Sequence, residues 1–220
     1  MIYAFKKKGI EQTLEEHIES CLEMFERIRD TRLWRNLNID EHFAEYMIIY
    51  HDIGKVFYQK NVEELSFPGH EFISAYVFWK VFERDLSSKR EELIFLAPII
   101  YHHHAMGVKI RLEDLNKRII TKPNDNILDE LERILAKYLD ESIASETIDV
   151  IRSIKISKVK VKVKSKIDEI WREFHGEFAR KFLHLLMVLI ACDYEGSKGR
   201  GKTTGFGKVV EEFVGLLFDC

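Results

Sequence analysis

Histidine and aspartate stand in this chain where apolar stripes end or turn: His17, the pair His51-Asp52, His70, the run His102-His103-His104, and Asp193. An imidazole or carboxylate carried into a core must be paired or bound to a cation, because nothing else offsets its desolvation. Imidazole nitrogen suits zinc, iron, manganese, cobalt and nickel, and a carboxylate oxygen can bridge two ions. The set therefore points to two divalent transition-metal ions, with Mn, Ni, Co or Fe ahead of Mg alone, which would call for more oxygen. Two such ions about 4 Å apart suit phosphoester hydrolysis.

The elements that must position these residues are mostly helical. Thr13 and Glu16 form a capping-box pattern ahead of Leu14, Ile18, Cys21, Leu22, Phe25 and Ile28, which predicts a helix over 14–29 with His17 on its inward half. Phe43, Ala44, Met47 and Ile48 lead into His51-Asp52, and Gly54 breaks the stripe. Pro68-Gly69 punctuates the chain before a face that begins at His70 and runs through Ile73, Ser74, Val77, Phe78, Val81 and Phe82. A helix from about Lys89, kinked at Pro98, carries Leu93, Leu96, Ala97 and Ile100 into the histidine run. Residues 125–138 read as a structural helix, and one long helix through Ile170, Phe178, Leu186 and Ile190 ends at Asp193, before a last helix over 208–218. KISKVKVKVKSK at 155–166 alternates valine with lysine, a two-residue period that predicts a strand, with GVKIR at 107–111 as its partner.

A chain of 220 residues, 46% hydrophobic and 12% aromatic, can bury one substantial core, so a single domain over 1–220 is expected. A net charge of −3 excludes a uniformly basic nucleic-acid coat; a polyanion would have to meet a local patch. Cys21, Cys192 and Cys220 are odd in number and far apart, which suggests reduced thiols and a cytoplasmic protein. The most apolar run, Phe182 to Cys192, is too short for a bilayer and contains His184, so no membrane association is expected.

The ordered set resembles the HD superfamily of metal-dependent phosphohydrolases. Within it, the chain is similar to the stand-alone CRISPR-associated HD nuclease that works beside a separate helicase in type I interference. YAFKKKGIEQTLEEHI, HDIGK, PGHEFISA, YHHHA and CDYEGS carry the likeness, which spans residue 3 to about 197. The resemblance implies a mostly α fold, an HD-domain helical bundle with a small β-ribbon. It also implies that Asp52 bridges two ions, with His17, His51 and Asp193 completing one sphere, and His70 plus two of the histidine run the other. A hydroxide between the ions would attack phosphorus, and Lys55 would contact a phosphate oxygen or help the leaving group. The register of the run stays open: His102 and His103 are preferred, and His103 and His104 are the alternative if Ala105 takes the place of the family's small residue.

The implied substrate is single-stranded DNA, with RNA in R-loops as an extension, and the implied partners are a helicase and an RNA-guided surveillance complex. An HD nucleotidase or cyclic-nucleotide phosphodiesterase would use the same ligands on a small substrate, and a degenerate scaffold would keep the fold without catalysis. Gly196 to Thr203 satisfies the Walker A pattern, but the seventeen residues that follow cannot complete a nucleotide-binding sheet, so the chain is read as having no ATP site of its own. That segment reads instead as a basic loop, with Lys198, Arg200, Lys202 and Lys208 available to a nucleic-acid backbone near Asp193. The lysine run at 155–166 reads first as a solvated face and second as a docking edge. His42, His175 and His184 lack motif context and read as surface or satisfied histidines, Ser74 and Ser197 as residues that orient ligands, and Trp79 and Phe82 as core.

Overall fold

The computed structural model describes residues 1–60, 62–103, 107–115, 122–200 and 205–218. The chain opens with a ribbon, β1 (Tyr3–Lys7) against β2 (Ile10–Thr13), antiparallel, with Phe5 opposite Gln12 and an irregularity between Tyr3 and Phe5. Lys8 and Gly9 both hold positive φ, 53° and 77°, as a two-residue hairpin turn of this hand requires.

Among the described residues eleven α-helices follow: α1 (Leu14–Arg29), α2 (Arg32–Arg35), α3 (Glu41–Tyr50), α4 (His70–Phe82), α5 (Lys89–Tyr101), α6 (Val108–Asp114), α7 (Asp125–Leu135), α8 (Glu141–Ser153), α9 (Ile156–Glu173), α10 (Gly176–Gly196) and α11 (Gly205–Phe218). Short 3-10 turns occupy Ile53–Tyr58 and Lys198–Arg200. The expected capping box closes: Glu16 N–H donates to Thr13 Oγ1 at 3.1 Å, and Thr13 N–H donates to Glu16 Oε2 at 2.8 Å. α10 lies against both α1 and α5, and α4 packs on α5, so the helices that bear the histidines surround one another. Phe43, Tyr46, Tyr50, Phe78, Phe82 and Phe95 interlock beneath them, mostly edge to face, and each buried ring contributes about 1.5–3 kcal/mol.

Three sequence expectations are corrected. Residues 155–166 are not a strand but the first half of α9, and 107–111 are not its partner but lie in and beside α6. Val159 and Val163 sit one helical turn apart and continue inward through Ile167 and Ile170, which leaves Val161 exposed. That longer apolar stripe, with lysine a good helix former, overrides the local two-residue alternation. The helix expected through Asp193 is two helices, broken at Phe174–Gly176, where Gly176 takes φ 52°. The small ribbon lies instead at residues 3–13, and α8 was not anticipated. α5 runs through Pro98, and Phe82 is buried as expected, while Trp79 sits half-buried at the edge of the core between Lys80 and Lys166. Among the described residues, no helix is long and apolar enough to cross a membrane.

Candidate metal centre

Five helices deliver the site. His17 stands in α1, His51 caps the C-terminus of α3, His70 opens α4, His102 follows the last residue of α5, and Asp193 sits in the last turn of α10. The C-terminal ends of α3, α5 and α10 carry partial negative charge, which favours a cation among them. Asp52, just past α3, has φ −112° and ψ 0°, the sparsely populated bridge region, before the 3-10 turn carries the chain back. That turn is held at Gly54, whose N–H donates to Ser74 Oγ at 2.8 Å. A Cβ there would collide with the His70 carbonyl, so the glycine of HDIGK is a packing requirement that lets the turn lie on the start of α4. Ser74 thus orients the turn rather than a ligand, whereas Ser197 Oγ reaches Asp193 Oδ1 at 3.4 Å.

Two clusters result, and Asp52 joins them. His17 Nε2 lies 3.0 Å from Asp52 Oδ2 and 3.3 Å from Asp193 Oδ1, and His51 Nε2 is 3.3 Å from His17 Nε2. The other oxygen of Asp52, Oδ1, is 2.8 Å from His70 Nε2, which is 3.4 Å from His103 Nε2. His17, His51, Asp52 and Asp193 form one group with metal-ligand spacing, and His70, His102 and His103 form another. His104 lies outside the described residues; His102 and His103 are both in the second group. Lys55 Nζ donates to Asp52 Oδ2 and, at 3.1 Å, to the Ala4 carbonyl. His42, His175 and His184 stand outside both groups.

The donor chemistry fits metal ions. Nδ1 of His51, His70 and His102 lies 2.6, 2.6 and 2.8 Å from the carbonyls of Ile48, Phe67 and Ile99. A carbonyl only accepts, so Nδ1 carries a proton; a bare Nε2 then presents its lone pair to a cation, and a protonated one donates to a neighbouring carboxylate. Among the described residues His102 Nε2 is buried without a hydrogen-bond partner, the condition a bound cation would relieve. His17 differs, because Arg200 Nη2 stands 2.9 Å from its Nδ1, and a guanidinium can only donate. With Arg200 there, the His17 proton sits on Nε2 and bonds the two aspartates. Holding a cation through Nε2 requires the other tautomer, with Arg200 turned away.

Burial by itself would raise the Asp52 carboxyl, but the Lys55 ammonium, His51 and the bonds from His17 and His70 outweigh it and hold Asp52 well below the usual carboxylate range. Asp193 is held down in the same way, burial being outweighed by His17 and His51. Burial, reinforced by His51, pushes the His102 imidazole down to about 4, and His103 is pushed down by burial and by His102. Both imidazoles are therefore neutral and competent as ligands near pH 7. Cys21 Sγ approaches His17 within 3.8 Å, but burial raises its thiol well above the ordinary value, so it stays protonated and serves as packing.

A family model described as the HD domain matches residues 14–145, more than half of the chain. The chain belongs to the HD domain family. It is accordingly a metal-dependent phosphohydrolase, and its buried histidine and aspartate cluster fits a metal site. The HD match contains His17, His51, Asp52, His70 and the histidine run, and it stops short of Asp193, which α10 brings in from outside the matched segment. No curated protein and no solved structure matched this HD chain.

Several site residues escaped the sequence reading. Glu71 is buried beside His70 and forms a two-pronged pair with Arg111 of α6, a link signalled only by the acid next to the histidine in PGHE. Gln12 donates to the Gly196 carbonyl at 2.6 Å and accepts from Arg200 Nε at 2.6 Å, which ties the ribbon to the end of α10. Gly196 is in the Walker-like string for a different reason, since a Cβ on it would stand 2.7 Å from both His17 Nδ1 and Cys21 Sγ. It closes a helix, whereas a P-loop opens after a strand.

Proposed function

We propose that this HD protein is a nuclease that hydrolyses phosphodiester bonds of single-stranded DNA, and of RNA within R-loops, in CRISPR type I interference. Its partners in that reading are a separate helicase and an RNA-guided surveillance complex. The observation that carries the two-ion chemistry is Asp52, whose Oδ2 meets the His17, His51 and Asp193 group and whose Oδ1 meets His70. The substrate class rests on the motif set, from YAFKKKGIEQTLEEHI to CDYEGS, that resembles the CRISPR-associated nuclease.

His17, His51, Asp52 and Asp193 would hold one divalent ion, and Asp52, His70, His102 and His103 the other. Ions bound there would lower the pKa of water and offset the charge that develops on the reacting phosphate. The protein's part is to fix the donors. Carbonyls at the ends of α3 and α5 and just before α4 lock three imidazoles in one tautomer, and Lys55 sets its ammonium against the bridging carboxylate, next to where a phosphate oxygen would bind.

The test is chelator-stripped protein incubated with circular single-stranded DNA and Mn²⁺, Ni²⁺, Co²⁺ or Mg²⁺ in turn, beside duplex DNA, bis-p-nitrophenyl phosphate and an Asp52→Ala control. Degradation of the circle that needs both a metal and Asp52 is the expected result. An intact circle beside rapid turnover of small phosphodiesters would replace this reading with a nucleotidase or cyclic-nucleotide phosphodiesterase.

A further inference from the structure

Once 156–173 is a helix, its lysines fall into two ridges flanking the buried Val159–Val163 strip. One ridge is Lys158 and Lys162; the other is Lys160 and Lys164, which continues past Ile167 and Asp168 to Trp171 at helical spacing. Lys158, Lys160, Lys162 and Lys164 make no ion pair among the described residues, whereas Lys166 of the same helix bonds Glu92. Like charges one turn apart repel and weaken a helix, so this arrangement stands at a cost that a polyanion would remove.

The second ridge borders a groove of about 390 Å³ between α6 and α9, lined by Leu112, Glu113, Lys160, Lys164, Ile167 and Asp168. One helical turn beyond Ile167 is Trp171, a large aromatic side chain that is 59% exposed. Tyr101 meets it nearly perpendicular at 6.2 Å and Phe174 at a tilt at 5.3 Å, so neither ring stacks flat on it. Tyr101 is the residue before His102, which connects this platform to the second half of the metal centre by one peptide bond.

We infer that the Lys160–Lys164–Trp171 ridge of α9 is a track for a single-stranded nucleic acid on its way to the metal centre: the lysines meet phosphates and a base stacks on the Trp171 indole. The inference rests on the nuclease reading above and deepens it by naming the surface. Lysines along a helix face followed by an exposed aromatic ring are the two ingredients of sequence-tolerant single-strand binding. Leu112 and Ile167 give the groove an apolar floor, and Glu113 and Asp168 repel phosphate there, so the backbone is confined to the lysine edge while the carboxylates can accept from base amino groups. About 16 Å of helix separates Lys160 from Trp171, at 1.5 Å per residue.

The experiment measures binding by fluorescence polarisation of a labelled oligothymidylate to full-length protein in chelator, so that cleavage does not intervene. Lys160→Glu/Lys164→Glu is compared with the parent, with Trp171→Ala and with a charge-matched control, Lys122→Glu/Arg133→Glu; circular dichroism melts verify folding. The lysine pair is expected to weaken binding at least tenfold and to make the dependence of log K on log salt shallower by about 1.4, two contacts at roughly 0.7 each. Trp171→Ala is expected to weaken it about five- to a hundredfold. Lysine variants that bind like the parent, or a control that loses as much, would overturn the track while leaving the nuclease reading intact. A parent that neither binds the oligomer nor cleaves the circle would instead overturn the nuclease reading.

Discussion

The two halves of the metal centre share one carboxylate but differ in everything else. The first half adds His17, His51 and Asp193, and Asp193 remains partly open to solvent. The second adds three imidazoles, His70, His102 and His103, with burial holding His102 and His103 in their neutral form. Two carboxylates make the first half tolerant of oxygen-preferring ions such as Mn²⁺ or Mg²⁺, while a nitrogen-rich shell favours Co²⁺, Ni²⁺ or Fe²⁺. On the proposed two-ion reading, the two halves should differ in affinity and load stepwise.

The strongest way to break that comparison is Asp52→Asn, which removes the group common to both halves. Hydrolysis of bis-p-nitrophenyl phosphate should fall about a thousandfold or more, the several kcal/mol expected of lost metal-ion stabilisation, and elemental analysis should find both ions depleted. Retained activity would show that the halves work without a bridge. Next come Asp193→Asn and His103→Ala, each expected to reduce two bound ions to one and to cost more than the 10–100-fold typical of an outer partner. They should differ in kind: Asp193→Asn weakens Mn²⁺ activation most, and His103→Ala weakens Ni²⁺ and Co²⁺ activation most. Equal losses for every metal would erase the distinction.

Smaller effects should follow from the supports of each half. Gly196→Ala presses a methyl group on His17, and Glu71→Gln loosens the pair that backs His70; each should lower metal affinity about 10–100-fold by calorimetry. The first should act on the carboxylate-rich half alone and the second on the imidazole half alone. A further effect is read on stability rather than turnover. In chelator-stripped protein, His102 titrates near 4 instead of the ordinary 6.5, so between those values the unfolded chain takes up a proton that the folded chain does not. Stability is therefore lost as pH falls from about 6.5 to 4, by about 3 kcal/mol from this group. Asp52, Asp193 and Glu71, whose carboxyls are held low, extend the loss below pH 4. Melting temperatures recorded across that range check the sign, and a Tm that rises on acidification would contradict the burial of His102.

α1 and α9 differ in how far their local sequence signals agree with the fold. Thr13, Glu16 and a clean apolar stripe made α1 and the inward face of His17 legible, because capping and periodicity are local properties. In α9 the local signal pointed the other way, since valine alternating with lysine reads as a strand until Ile167 and Ile170 are counted in the same stripe. The N-terminal ribbon was hidden for a similar reason: Tyr3–Lys7 has little alternation, and its pairing with Ile10–Thr13 is set by the Lys8-Gly9 turn.

The chemistry is local and legible in the residues: which of them could be donors, that imidazoles and carboxylates of this kind call for divalent ions, and which helices carry them. How the donors meet is set by the packing of the helices. The split of Asp52 between two clusters, Glu71 and Arg111 behind His70, and Arg200 on His17 join residues distant in the chain. So does the need for glycine at 54 and 196, where a backbone must approach a histidine too closely for any side chain. Such contacts leave no periodic trace, because they depend on where packed helices place their ends and not on the spacing of residues within any one of them.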